Sequence, residues 1–185
     1  MIPEDLTELI EGHAKWLRKE DGGKRACLAG AELSGVSLPA VMLHQADLRG
    51  AHLEGANLVN AELSESALSY ANLSEANLTG AMLATAKLFH ADLRGANLND
   101  ACLYGANLHG ANLPWADLTN ANMHGADLER ALLGDANLRG ADVSNANLSG
   151  AYLPGAELSN AVLQEADLSG ATLTGAVLGC SEDGP

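Results

Sequence analysis

The residues able to do chemistry are few and scattered. Six histidines (His13, His44, His52, His90, His109, His124) and three cysteines (Cys27, Cys102, Cys180) are spread over 185 residues. An odd number of distant cysteines fits reduced thiols in a cytoplasm better than a disulfide framework. Neither Cys27 nor Cys102 has an evident histidine–acid arrangement around it, so nucleophilic catalysis has no support. Fourteen of the 20 glycines fall at period-five corner positions instead of gathering into a phosphate-binding loop. Paired carboxylates arise everywhere in a chain with 24 acids and ten bases, and they signify little. The expectation is a protein that is no enzyme and carries no cofactor.

The net charge of −14 argues against direct binding to nucleic-acid backbones or to anionic membranes, because both would repel it. No stretch approaches the roughly 18 apolar residues of a membrane helix. Residues 1–21 hold six acids and no apolar run of signal-peptide length, so no export signal is read there and a cytoplasmic protein is expected.

The elements that must position these side chains follow from one pattern. From Ala26 to Cys180 a small residue and a leucine recur every five residues, through 31 units without a slip. The leucine position changes only at Met123 and Val143, and the small position only at Val36, Val41 and Ser66. At about 100° per residue, a helix would carry successive leucines around every side, so a helix cannot use this period. In an extended segment, residues two apart share a side. Each unit therefore reads as a three-residue strand and a two-residue corner. The second corner residue is Gly in 14 of the 31 units, and Pro39, Pro114 and Pro154 stand just before it. Proline then glycine or asparagine is what a type II turn demands, since its second central residue has positive φ. Tyr70, His90, Trp115 and Arg130 fit that turn poorly, and a different turn is expected at their corners.

Repeated corners coil the chain into a tube lined by Ala and Leu. No single coil can bury its leucines, so neighbouring coils must stack. Ahead of the tube, Leu6, Leu9, Ile10, His13 and Leu17 share one helical face, with Trp16 at its margin. Acids in the first turn and Lys15, Arg18 and Lys19 in the last suit the helix dipole, and Gly22-Gly23 supplies a stop. The reading is a helix that covers the open end of the tube, with three regions: 1–25 for helix and linker, 26–180 for the repeats and 181–185 as a tail.

Units such as Ala96-Asn97-Leu98-Asn99-Asp100 and Ala146-Asn147-Leu148-Ser149-Gly150 resemble the pentapeptide-repeat family. The resemblance implies an all-β fold, a right-handed quadrilateral parallel β-helix with four units per coil, about 7.75 coils long, behind a short α-helical cap. Residues twenty apart then stack. Asn57, Asn77, Asn97, Asp117 and Asn137 fall in one column, a plausible side-chain ladder. Outward charges sort by side: the Leu33 and Leu43 sides carry −4 each, the Leu38 side −2 and the Leu28 side −1.

On that least acidic side, Tyr70, His90 and Arg130 share one corner column, and Phe89, His109 and Glu129 share the next. Aromatic and cationic side chains together are common in binding patches. Only His90 and His109 come near each other among the histidines, and two ligands with no positioned third partner make a poor metal site, so no metal is expected. At the far end, the coil of Leu163, Leu168, Leu173 and Leu178 would expose strand edges, which invites end-to-end pairing with a second copy. The functional expectation is a non-catalytic acidic scaffold that mediates protein–protein interaction with an unidentified partner. The family resemblance also implies an alternative, a DNA-mimicking modulator of DNA gyrase.

Overall fold

The structure is a computed structural model and describes residues 4–179. A helix, α1 (Glu4–Leu17), precedes a run of coils without further helices among the described residues. In that run every unit from Ala26 onward places its mid-strand residue in parallel bridges, two for each unit of the interior coils. The bridges pair Cys27 with Asp47, Glu32 with His52 and so on to Glu157 with Val177, always twenty residues apart. Four five-residue units therefore separate stacked positions. The cysteine at 180 and the 181–185 tail lie outside the described residues.

The unit Ala96–Asp100 shows how the backbone is satisfied. Ala96 N–H donates to the Leu93 carbonyl across the corner at 3.0 Å. Asn97 N–H donates to Ala76 in the preceding coil at 2.9 Å, and Leu98 N–H donates to Asp117 in the next at 2.7 Å. Asp100 N–H donates to Thr119, also in the next coil, at 3.0 Å. One N–H is left, that of Asn99, and the Asn97 side chain takes it: Oδ1 accepts at 3.0 Å. All five donors are used, as a stacked backbone requires.

This accounting explains why Asn and Asp are frequent at mid-strand. Their side-chain oxygen accepts the N–H two residues on, as at Asn77, Asp117, Asn137 and Asn147. Asn112 is instructive, because the residue two places on is Pro114, which has no N–H. Its amide turns instead to Asp92 Oδ1 in the preceding coil, at 3.2 Å. The expected ladder through Asn57, Asn77, Asn97, Asp117 and Asn137 is stacked as anticipated. Within it, only Asn137 reaches its neighbour: its Nδ2 donates to Asp117 Oδ1 at 3.3 Å, an oxygen that also holds its own corner.

Inside, the Ala and Leu columns are dry: from Ala46 to Ala156 they are buried throughout, joined by Met123 and Val143. Burying each leucine stabilises the stack by about 1.5–3 kcal/mol before entropy is counted. Ser66, in the alanine column, donates its hydroxyl to the Leu63 carbonyl at 2.6 Å, so its burial leaves nothing unsatisfied.

The corners correct one expectation. Every described corner from Gly30 to Gly175 has positive φ, fourteen glycines and sixteen other residues alike. Tyr70 (62°), His90 (52°), Trp115 (58°) and Arg130 (55°) adopt the glycine conformation instead of a different turn. A non-glycine residue loses about 1–2 kcal/mol there. Leaving it would break the corner ladder, in which Tyr70 N–H donates to Phe89 and His90 N–H to His109. The corner would also fall out of register with the coils on either side.

The helix covers the first coil, as anticipated, but ends elsewhere. Lys19, not a glycine, takes the left-handed conformation (φ 58°), donating to Trp16 while Glu20 donates to Lys15. Arg18 and Lys19 thus lie past the last turn. Gly23 serves a different purpose: a Cβ there would stand 2.4 Å from the Trp16 nitrogen, so the chain passes against the helix only as glycine.

The join itself is His13, fully buried and stacked on Trp16. Its Nδ1 accepts from Ala26 N–H at 3.0 Å, and its Nε2 donates to the His44 carbonyl at 3.0 Å. One neutral imidazole thereby ties α1 to both ends of the first coil. Burial pushes its pKa below 6.5, against the opposing pull of the His44 carbonyl. The unfolded chain therefore takes up this proton more readily than the folded one. The contribution is complete above pH 6.5 and lost as pH falls through the folded value. We expect His13→Leu to cost about 1–3 kcal/mol at neutral pH by stranding two backbone groups. In thermal melts, the gap between wild type and variant should narrow steadily on acidification; a pH-independent gap would contradict the neutral-imidazole join.

Candidate functional site

The outward side chains are set by the corner positions. On the Leu28 side, the second corner residues of successive coils are Gly50, Tyr70, His90, Gly110, Arg130 and Gly150. The first corner residues beside them include Phe89, His109 and Glu129. Stacking brings all six predicted residues into one continuous cluster. Tyr70 lies edge-on to Phe89 with ring centroids 5.6 Å apart, and it stacks on His90 at 5.8 Å. Phe89 meets His90 edge-on at 4.2 Å and stacks on His109 at 5.4 Å. His109 Nδ1 is 3.5 Å from Glu129 Oε2, and Arg130 Nε is 3.7 Å from Glu129 Oε1. Four rings, a carboxylate and a guanidinium therefore form a ridge across the coils, with Tyr70 63% exposed at one end.

The glycine at 110 permits this arrangement. His90 Nδ1 bonds the Gly110 carbonyl at 3.1 Å, and the imidazole lies where a side chain on residue 110 would be. A Cβ on Gly110 would come within 2.5 Å of His90 Cε1. A glycine after His90 in the column thus seats the ring that links Tyr70 to His109.

Two arrangements were not apparent from sequence. Asp127, mid-strand in the coil after His109, puts a carboxylate beside it: donor atoms of His109, Asp127 and Glu129 all lie within 4.8 Å of one another. The group takes in His109 without His90, so it differs from the pair of histidines weighed from the sequence. The signal was present as an offset of eighteen residues, one coil less two positions. The second is a line of His124, Ser144 and Asp142. His124 Nδ1 is 2.8 Å from Ser144 Oγ, and that hydroxyl donates to Asp142 Oδ1 at 2.5 Å. This reverses the order of a hydrolytic triad, in which the acid holds the imidazole and the imidazole takes the serine proton. Here the serine proton is committed to the acid, and Ser144 is buried. The arrangement supports the coil and activates no nucleophile. Cys27 is exposed and Cys102 half-buried, with neither in an ion pair.

At the far end, Leu163, Leu168 and Leu173 are half-buried and Leu178 is 59% exposed, in contrast to the sealed columns before them. Among the described residues no helix is long and apolar enough to cross a membrane.

The sequence profile of pentapeptide repeats matches in eight copies, overlapping from residues 24–55 to 141–179. Among solved structures, the chain is similar to HetL, a pentapeptide-repeat protein involved in heterocyst differentiation regulation in the cyanobacterium Nostoc sp. strain PCC 7120. That likeness has 33% identity over 89% of this chain and 96% of HetL, with a TM-score of 0.29. It is similar to a pentapeptide-repeat protein of the Arabidopsis thaliana thylakoid lumen, at 30% identity over 57% of this chain and 59% of that one, TM-score 0.32. It is also similar to QnrB1, a plasmid-mediated fluoroquinolone resistance protein, at 19% identity over 82% and 88% of the two chains, TM-score 0.44. No curated protein matches the chain.

Substituting Gly110 tests the seating of the ridge. Gly110→Ala and Gly125→Ala should each lower stability by about 1 kcal/mol, because both glycines have positive φ. Nothing lies within 4 Å of a Cβ on Gly125. Only Gly110→Ala should shift the ring resonances of His90 and Tyr70 in NMR spectra; equal shifts in both variants would contradict the seating.

Proposed function

The chain belongs to the pentapeptide-repeat family, and from that premise we propose that it is a non-catalytic scaffold that presents a patterned surface to another protein in the cytoplasm. In this reading the coil keeps the right-handed, four-sided path the family implies. The observation that carries the reading is the ridge of Tyr70, Phe89, His90 and His109, running into Glu129 and Arg130. Aromatic side chains and arginine are the residues that anchor protein interfaces, since they bury much area at little conformational cost. Their placement on the least acidic side leaves the flanking acidic sides to repel non-specific contacts.

A second reading, mimicry of duplex DNA toward a topoisomerase, has in its favour the two sides of charge −4. Several carboxylates on those sides are already engaged within the chain. Asp92, although burial raises its pKa, is held below the usual range by Arg94, which grips it at 2.6 Å. Asp142 is held low by the Ser144 hydroxyl and N–H. Both stay charged, but their oxygens are committed within the coil and are less available to the hydrogen-bond donors of a partner. Inhibition of gyrase supercoiling by the purified protein would restore this reading to first place.

The last described coil supports self-association. The backbone N–H groups of Leu163, Leu168 and Leu173 have no backbone acceptor among the described residues. Each follows, two residues on, the carbonyl of Ala161, Ala166 or Ala171. An outward carbonyl and an outward N–H flanking one residue are what an antiparallel neighbour needs. Two copies meeting end to end about a two-fold axis satisfy each other's groups. Sedimentation should give a dimer for the wild type and a monomer for Leu168→Lys with Leu173→Lys; a strictly monomeric wild type at high concentration would remove this assembly.

The scaffold reading is tested by Tyr70→Ser combined with Phe89→Ser. Both positions face outward, so the circular-dichroism spectrum and melting temperature should stay close to wild type. Partners recovered from native extract by the wild type should be lost with the double variant. Recovery unchanged by the substitutions would overturn the ridge as the binding surface.

A further inference from the structure

The ridge ends in a group of donors whose chemistry differs from the rest of the acidic surface. His109 and Glu129 occupy the same corner position in successive coils, and Asp127 stands two residues before Glu129. One imidazole nitrogen and two carboxylate oxygens lie within 4.8 Å of one another, and all three residues are half-buried. From these three side chains we propose a binding site for a divalent transition ion of the zinc or manganese class.

A zinc ion about 2.0–2.2 Å from each donor requires donors no further apart than roughly 4.4 Å. The His109–Glu129 pair, at 3.5 Å, already meets that limit. A small side-chain rotation closes the rest. The donor set selects the ion class. Calcium and magnesium prefer all-oxygen cages, whereas an imidazole with carboxylates suits borderline ions. A neutral imidazole and two carboxylates also cancel the ion's two positive charges.

The surroundings hold the ligands in place. The Phe89 ring stacks on His109 at 5.4 Å with planes 18° apart, which restricts rotation of the imidazole. Asp127 Oδ1 accepts from Glu129 N–H and from Asn147 Nδ2, each at 3.1 Å, and this orients the carboxylate. Arg130, 3.7 Å from Glu129 Oε1, leaves Oε2, the oxygen beside His109, to the ion. His90 is not one of the three: its Nδ1 bonds the Gly110 carbonyl, and neither of its nitrogens belongs to the converging group. Solvent or a partner's side chain completes the coordination.

Other sides of the coil contain the controls. His44 lies 3.7 Å from Glu65 and His52 lies 3.9 Å from Glu32. Neither pair has a second carboxylate that brings a third donor within the same reach, among the described residues. Among the described residues a histidine beside one acid is therefore present three times, and the three-donor group once.

The experiment titrates the full chain with zinc by calorimetry and with manganese by NMR. Zinc should bind saturably at one site per chain. Manganese should broaden the resonances of His109, Asp127 and Glu129 before those of His44 and His52. His109→Gln and Asp127→Asn should each weaken zinc binding by about tenfold or more, with circular dichroism unchanged. Unsaturable binding, broadening spread evenly over the acidic sides, or affinity unaffected by both variants would overturn the site. The test is independent of partner capture, so it stands or falls apart from the scaffold reading.

Discussion

The structure depends on one constraint, the pairing of the strand and second-corner backbone donors of the interior coils with a group on their own corner or in an adjacent coil. In Ala96–Asp100 three N–H groups reach neighbouring coils, one closes the corner and one is held by the Asn97 side chain. The hydrophobic columns could not be dry without this, since an interior stack with orphaned amides would lose several kcal/mol per group. The constraint also explains why the coils tolerate sixteen non-glycine residues at positive φ. Local strain of about 1–2 kcal/mol is smaller than the cost of disrupting a ladder that continues on both sides.

Function on such a rod is a matter of columns. Residues far apart in the chain become neighbours because the offset of twenty returns each side to itself. A surface group therefore needs no loop or inserted domain to position it. It needs only a corner column in which a glycine leaves room for a large neighbour, as Gly110 does for the His90 ring. The ridge from Tyr70 to Arg130 is built this way. Its aromatic end and its acid–histidine end are distinct in chemistry yet share His109, which stacks on Phe89 and faces Glu129. The frame that carries them is rigid, so the spacing of these groups is held by the buried leucines beneath them.

Much of this was legible in the residues. Period five excluded a helix, placed Ala and Leu inward and put turns at the glycines. The family resemblance, not the period, supplied four sides, and with them the column that joins Tyr70, Phe89, His90, His109, Glu129 and Arg130. What escaped the sequence reading involves partners separated by other offsets. His13 looked like one more apolar-face residue of a helix, and its bonds to Ala26 and His44 depend on how that helix lies over the first coil. Asp127 was counted as a surface charge, because its mid-strand position hides how near it comes to a corner one coil earlier. The turn at Tyr70 was misjudged because single-residue preference was weighed without the ladder that overrides it.

The sequence by itself determined the repeat, the inward columns, the helix and the charge on each side once four units per coil were assumed. These follow from periodicity, which acts locally and repeats in every unit. Only the tertiary structure decided which backbone groups each side chain satisfies, how a corner behaves under stacking, and which donors converge at His109. Those depend on distances between coils, and a distance of a few ångströms between residues eighteen or thirty-one apart leaves no periodic trace in the chain.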